Sequence, residues 1–233
     1  GMRQAAAKLL RDADVRFAVS RFTADRVRRL TGQDVVFVGA GVDIDAFKPP
    51  PIGGNEIPVV GCVSRFVPRK GQQRLIDAAA RLSRPVEVLF VGKGRTESRL
   101  RKRAERRGVR ARFEVDVPWS DLPGLYREMD VFCMPCRSRW GGLEVEGLGL
   151  VFLEAAATGL PVLAGDSGGS PETVIPGRTG YVVHSVDDIV EGLGLLLDDP
   201  GRALAMGRAG RHFVEDLFTW PKVVERFQNG FDG

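Results

Sequence analysis

RSRWGGLEVEGLGLVFLEAAATGLPV, residues 137–162, decides how this chain is read. It opens polar and glycine-rich, with Trp140 and two carboxylates, Glu144 and Glu146. Gly147 and Gly149 follow, then an apolar run with one charge, Glu154. Gly159 and Pro161 stop that run, as a helix C-terminus requires. The pattern predicts a loop feeding a helix N-terminus. Glycines let backbone amides approach a ligand closely, and the helix end favours an anion. Glu146 at the loop end, or Glu154 about one and a half turns into the helix, can accept the paired hydroxyls that sugars and ribose offer. An ordinary loop–helix joint is the plain alternative. Against it, a carboxylate inside VFLEAAATGL is costly without a partner, and the loop holds more glycine and acid than a connector needs.

Outward from this stretch, strands and helices alternate. VVGCVS (59–64), VEVLFVG (86–92), RFEV (112–115), DVFCMP (130–135), PVLAG (161–165) and YVV (181–183) read as strands. VEVLFVG is apolar enough to be buried on both faces. Helices are expected over 71–83, with Leu75, Ile76, Ala79 and Leu82 on one face, over 96–107 and near 120–129. Three more, near 186–197, 201–217 and 220–228, close the chain. This alternation implies an α/β fold, a doubly wound parallel sheet of the Rossmann-like kind. Such sheets bind ligands beyond the C-terminal ends of their strands. SRFVPRKG, GKGR and CRSRWGG all fall there.

Upstream, residues 3–12 read as a short helix and VRFAV (15–19) as a strand. Ser20 caps a helix through about Leu30, ended by Gly32, and VVFVGAGVD (35–43) is a second strand. KPPPIGGNEIP (48–58) reads as a linker, which puts the domain boundary between residues 47 and 48. Residues 1–47 are too few to bury a core and read as the tail of a truncated domain with its hinge; residues 48–233 form the main domain. Gly1-Met2 reads as a cloning remnant before a start or truncation point.

With 233 residues, 43% of them hydrophobic, the chain suits one full α/β domain plus an extra piece. It has no apolar run long enough to span a bilayer. Three cysteines, an odd count with no secretory signal in view, point to a reducing compartment, hence the cytoplasm. The net charge of +4 is uneven: Arg95–Arg112 holds nine basic and two acidic residues. That helix could touch anionic lipid, or be a solvated face. No aromatic residue interleaves with its arginines, which argues against nucleic acid.

SRFVPRKG (64–71) places Arg65, Arg69 and Lys70 in one loop before a helix. A diphosphate suits it, gripped by Arg through two donors and by Lys as a point charge; a solvated basic loop is the alternative. GKGR (92–95) lacks the third glycine of a dinucleotide fingerprint. Cys133-x-x-Cys136 cannot close a structural zinc site alone, and His184 and His212 stand far off, so Cys133 reads as core strand, Cys136 as loop, and no metal is expected. DSGGSPETV (166–174) is either a turn with a helix cap or a loop closing over ligand. Trp119 and Trp220 read as packing anchors; Trp140 stays open.

These motifs together resemble the C-terminal half of retaining glycosyltransferases of the GT-B fold. The matching signatures are VGAGVDIDAFKP, SRFVPRKGQQRLIDA, VLFVGKGR and EGLGLVFLEAAATGLPVLAGDSGGSPETV, the last with the family's Glu-x7-Glu pair as Glu146 and Glu154. RWGGLEVEGLGLVFLEAAATGLPV is similar to actinobacterial mannosyltransferases that extend phosphatidylinositol mannosides from GDP-mannose. The resemblance implies a nucleotide-sugar donor, with no metal and no other cofactor. It implies that Arg65 and Lys70 hold the donor diphosphate and Glu146 the transferred sugar. Gly147, Leu148 and Gly149 would meet sugar and phosphate through their backbone, and Glu154 the ribose. Gly92, Asp116, Val117, Pro118, Cys136 and Arg137 would surround the nucleotide. It implies a lipid-linked or glycan acceptor, bound by an N-terminal domain nearly all outside this chain, with peripheral contact at the inner membrane face. The chain alone would then bind a donor and transfer nothing. A transferase using UDP- or ADP-glucose with a soluble acceptor, a sugar-nucleotide epimerase of the same fold, and a non-catalytic nucleotide-binding domain are the alternatives.

Overall fold

A computed structural model describes residues 2–50 and 55–231, so the middle of the expected linker, 51–54, lies outside the described residues. The chain opens with α1 (Met2–Arg11), β1 (Phe17–Ala18), α2 (Arg21–Thr31) and β2 (Val36–Phe37). The Ser20 hydroxyl accepts from the Thr23 amide at 3.0 Å, and Gly32 closes α2 in the left-handed region at φ 70°. Both ends fall where a capping side chain and a residue without a Cβ put them. β1 and β2 pair in parallel over only two residues. The second strand expected over 35–43 therefore stops early: past Phe37 the chain leaves the sheet, with Gly39 in the left-handed region at φ 79° and a single bridge between Val42 and Thr219.

β3 (Val59–Val63), α3 (Gln72–Ala79), β4 (Glu87–Val91), α4 (Glu97–Arg106), β5 (Arg110–Glu114) and α5 (Leu122–Arg127) follow. β6 (Val131–Met134), α6 (Leu150–Ala157), β7 (Val162–Gly165) and β8 (Gly180–Val183) complete the sheet, and α7 (Val186–Asp198), α8 (Pro200–Leu217) and α9 (Trp220–Asn229) close the chain. Two expected helices are shorter than their patterns. α3 ends at Ala79 because Ser83 and Pro85 lie just beyond. Pro123 at the start of α5 leaves Trp119–Asp121 as a separate 3-10 turn.

The six parallel strands lie in the order β5-β4-β3-β6-β7-β8. Right-handed crossovers that run toward opposite edges must lie on opposite faces. Hence α3 and α4, with α7 against α3, cover one face, while α5, α6 and α8 cover the other. All of β3, β6 and β7 is buried, which explains their continuous apolar runs. Gly61 interrupts β3 because the Met129 sulfur sits 1.9 Å from where a Cβ would stand. α8 crosses α6 at small residues: a Cβ on Gly207 would lie 1.9 Å from the Gly159 carbonyl. Arg211 of α8 donates to the carbonyls of Ile44, Phe47 and Ala157 at 2.7–3.0 Å, fixing the segment before the linker to the end of α6. α9 returns to the N-terminal piece, where Phe17 packs against Phe227 in a tilted pair with ring centroids 4.3 Å apart.

Strand order reverses between β3 and β6, so their following loops leave the sheet in opposite directions and open a crevice at its C-terminal edge.

Candidate functional site

Two loops meet in that crevice. After β3, a 3-10 turn over Pro68–Lys70 ends at Gly71, in the left-handed region at φ 77°. Only glycine fits there, since a Cβ would stand 2.1 Å from the Pro135 carbonyl of the loop after β6. The turn aims Arg69 and Lys70 into the crevice, both buried. From the other loop comes Glu146, whose Oε2 accepts from Arg69 Nη1 and Lys70 Nζ, each at 2.6 Å. Glu144 lies 3.8 Å from Arg69 Nε and 3.3 Å from Arg139 Nη1. Three cations and two carboxylates thus share one wall, mostly out of water. Here charges interact more strongly than at the surface, and each depends on its partners.

The backbone holds this cluster in place. The Glu146 amide donates to Ser167 Oγ at 3.1 Å, and its carbonyl accepts from the Gly169 amide at 3.0 Å. The Arg137 amide donates to the Arg69 carbonyl at 2.9 Å, lacing the loops after β3 and β6 together. Gly147 is exposed and Leu148 buried; Gly149, at φ 91°, opens α6 without a side-chain cap. First-turn amides with no capping side chain are suited to an anion.

The sequence-predicted residues fall into three groups. Lys70 and Glu146, expected to hold different parts of a ligand, form one ion pair, with Gly147–Gly149 beside them. Arg65, by contrast, is exposed and lines an adjoining cleft of about 460 Å³ with Gly92, Lys93, Asp116 and Val117. Pro118 borders a shallower hollow of about 400 Å³ with Asp116 and Val117. Asp116 holds a left-handed backbone at φ 56° and takes Lys93 Nζ at 2.5 Å.

Glu154 belongs to neither wall. Its Oε2 accepts from the Tyr126 hydroxyl at 2.7 Å, joining α6 to α5. Burial pushes the Glu154 carboxyl above its ordinary range, with the Tyr126 hydrogen bond opposing. Burial and then the nearby Glu154 push the Tyr126 phenol well up.

Cys136 lies in the loop after β6, as expected, but its side chain is fully buried, with Sγ 3.4 Å from Ser170 Oγ and 3.7 Å from the Gly165 carbonyl. Burial raises it to about 11, so only its backbone can face a ligand. Arg137 beside it is exposed. Trp119 and Trp220, expected as packing anchors, are 60% and 58% exposed, although the Trp119 ring meets Phe47 edge-on and the Trp220 ring backs Gly41. Among the described residues no three His, Cys, Asp or Glu side chains gather as metal ligands.

Two residues have contacts that sequence reasoning did not single out. Arg69 was one of three loop cations matched to a diphosphate, and nothing local shows that the 3-10 turn sends it, with Lys70, toward Glu146. The other is Glu172, whose carboxylate accepts the Arg21 and Phe22 amides at 2.8 and 2.7 Å, capping α2 from 150 residues away. DSGGSPETV is thus a turn that fastens the N-terminal piece to the loops around Glu146.

Comparison with known proteins agrees with this architecture. The sucrose-phosphate synthase of Thermosynechococcus elongatus superposes with a TM-score of 0.86 at 25% identity, covering 99% of this chain and 60% of its own. An Anabaena protein, HepE, solved with UDP and glucose, superposes with a TM-score of 0.87 at 22% identity, covering 99% of this chain and 66% of its own. The fold, a six-stranded parallel Rossmann-like sheet flanked by helices, is that of one half of a GT-B glycosyltransferase. Residues 45–213 match the family model described as glycosyl transferases group 1, and the chain belongs to that family. A GDP-mannose-dependent alpha-(1-6)-phosphatidylinositol monomannoside mannosyltransferase of Mycolicibacterium smegmatis is 44% identical over 94% of this chain. A GDP-mannose-dependent monoacylated alpha-(1-6)-phosphatidylinositol monomannoside mannosyltransferase of Corynebacterium glutamicum is 42% identical over 98% of it. The chain spans 62% and 65% of the lengths of these two relatives.

Proposed function

We propose that this chain is the donor-binding part of a retaining mannosyltransferase, which takes mannose from GDP-mannose to a phosphatidylinositol-linked acceptor. The observation that carries the reading is the pair Arg69 and Lys70, held 2.6 Å from Glu146 in the crevice, beside the uncapped start of α6. The relatives' names supply the sugar, base and acceptor class.

A glycosyl–phosphate bond breaks through an oxocarbenium-like transition state as negative charge grows on the leaving diphosphate. Lys70, Arg69 and the α6 amides stabilise that charge from one wall, and Arg65 reaches it from the open cleft. Glu146 pairs with two of these cations. An arriving diphosphate takes over their positive charge and releases the carboxylate toward the sugar hydroxyls. The nucleoside lies along Gly92, Asp116, Val117 and Pro118, with the backbone of Cys136 and Arg137 at its far side. Attack on the departing face, with the leaving phosphate accepting the acceptor proton, retains configuration without a covalent nucleophile. Acceptor binding lies outside these residues, so the chain binds donor without transferring sugar.

No described helix is long and apolar enough to cross a membrane. The lipid class of acceptor named for the relatives suits peripheral contact at the inner membrane face, where cytoplasmic nucleotide sugars are available. Titrating the chain with GDP, UDP and ADP tests the reading. Tightest binding of GDP supports it; preference for UDP or ADP moves the assignment to a glucosyltransferase; binding of none of them defeats it.

A further inference from the structure

Between Arg139 and Glu144 the loop after β6 forms a closed tip. Its ends pair through the backbone, the Arg139 amide to the Glu144 carbonyl at 2.9 Å and the reverse at 3.3 Å. Their side chains join as an ion pair at 3.3 Å. Inside the tip Trp140, Gly141 and Gly142 all adopt left-handed backbone, at φ 49°, 60° and 85°. That conformation is easy for glycine and costly for tryptophan. Arg26 of α2 donates to the Gly142 carbonyl at 2.9 Å, and the Arg139 guanidinium lies over the Trp140 ring, 4.7 Å from its centre.

The tip is thus fastened from two sides and strained at its tryptophan. Even so, Trp140 is 67% exposed and Leu143 65% exposed. A constrained loop that holds its two largest apolar side chains in water gains nothing by it in folding. Such strain persists where a functional contact uses it. The chemistry of the tip indicates that contact. An indole has an apolar body and a polar N–H, and it settles at the head-group level of a bilayer. Leucine enters the acyl region, while guanidinium groups at the rim, here Arg26 and the exposed Arg137, meet lipid phosphates. The basic helix α4 is a weaker match. It offers no large exposed apolar residue, and Arg101, Arg103 and Arg107 are engaged with Glu97 or Asp77.

We propose that the Arg139–Glu144 tip is a membrane contact that inserts Trp140 and Leu143 into a lipid surface carrying anionic head groups. The inference rests on the reading that the acceptor is lipid-linked, and its test does not depend on transfer. Trp119→Phe with Trp220→Phe leaves Trp140 as the sole tryptophan. On phosphatidylcholine vesicles containing phosphatidylinositol, its emission should shift to the blue and be quenched by brominated acyl chains. Trp140→Ser with Leu143→Ser should weaken vesicle partition about tenfold or more while GDP binding stays unchanged, which also reports that the variant is folded. Arg99→Glu with Lys102→Glu on α4 should change partition much less.

Three results would overturn the proposal. One is vesicle binding with no change in Trp140 emission. Another is partition lost in the α4 variant and kept in the tip variant. The third is a blue shift produced by GDP without vesicles, which would make the tip a lid over nucleotide. If Trp140 enters vesicles but the chain binds no nucleotide, the membrane contact stands and the transferase reading falls.

Discussion

Glu146 and Glu154 are almost equally shielded from water, 8% and 7% exposed, yet their surroundings make them different groups. Glu146 ends a loop and faces Arg69 and Lys70. Glu154 sits inside α6 and faces a neutral phenol. Burial at similar depth gives one carboxylate two cations to neutralise and leaves the other with a raised proton affinity. The difference teaches that the partner, more than the depth, assigns the role. A buried charge set against charges can be exchanged for a ligand's charge, whereas one set against a hydroxyl mainly ties two helices together.

The largest expected effect follows from removing the first carboxylate. Glu146→Ala strands two buried cations, and breaking such a pair costs about 3–5 kcal/mol. Denaturant unfolding should show a loss of that order. Pyrophosphate should restore part of it, because an anion can replace the missing carboxylate. No recovery with pyrophosphate would mean that the cations serve only the loop.

The second carboxylate should behave otherwise. Glu154→Ala leaves the Tyr126 hydroxyl buried without its acceptor, a cost of about 1–3 kcal/mol. Glu154→Gln keeps an acceptor there and should melt like the native chain or higher at pH 7. The sign follows from the raised folded pKa: the folded state binds this proton more tightly than the unfolded chain. Native stability therefore falls as pH rises from the ordinary carboxylate range through the raised folded value, and Glu154→Gln should lack that fall. The ribose role implied for Glu154 requires in addition that Glu154→Gln lose GDP affinity while melting normally. Normal GDP binding would leave it a structural acid.

Smaller still is the tie between the N-terminal piece and the loop around Glu146. Glu172→Ala removes a capping acceptor from α2 and should cost about 1 kcal/mol. Faster amide exchange should follow at Arg21 and Phe22; unchanged exchange would mean the cap is dispensable. The cysteines should give the smallest effect. Burial pushes Cys62 to about 12 and Cys136 to about 11. The native thiols should therefore be nearly inert to a thiol reagent at pH 8 and react fully after unfolding. Rapid native reaction at Cys136 would show that its loop opens.

Much of this comparison was legible in the sequence. Glycine, acid and an apolar run in order announced the loop and α6, and apolar strands alternating with helices announced the parallel sheet. Ser20 and Gly32 marked both ends of α2, because capping is local chemistry. The rest depended on what no local pattern records. Which of Arg65 and Arg69 turns inward is set by a 3-10 turn over three residues, too short to leave a periodicity. Tyr126 and Glu154 meet because two helices share one face of the sheet, and Glu172 reaches α2 across 150 residues. VVFVGAGVD reads as a strand by composition, yet only Val36 and Phe37 have a strand to pair with.

Calorimetric titration of the native chain and of Lys70→Ala with GDP and with GMP tests the central claim most directly. The account predicts that the native chain binds GDP and that Lys70→Ala weakens it about tenfold or more, since a charge-assisted hydrogen bond contributes about 1.5–3 kcal/mol. GMP should lose much less, and Arg65→Ala should repeat the pattern without loss of thermal stability. Equal losses for GDP and GMP, or no loss for either, would contradict the assignment of these cations to a diphosphate.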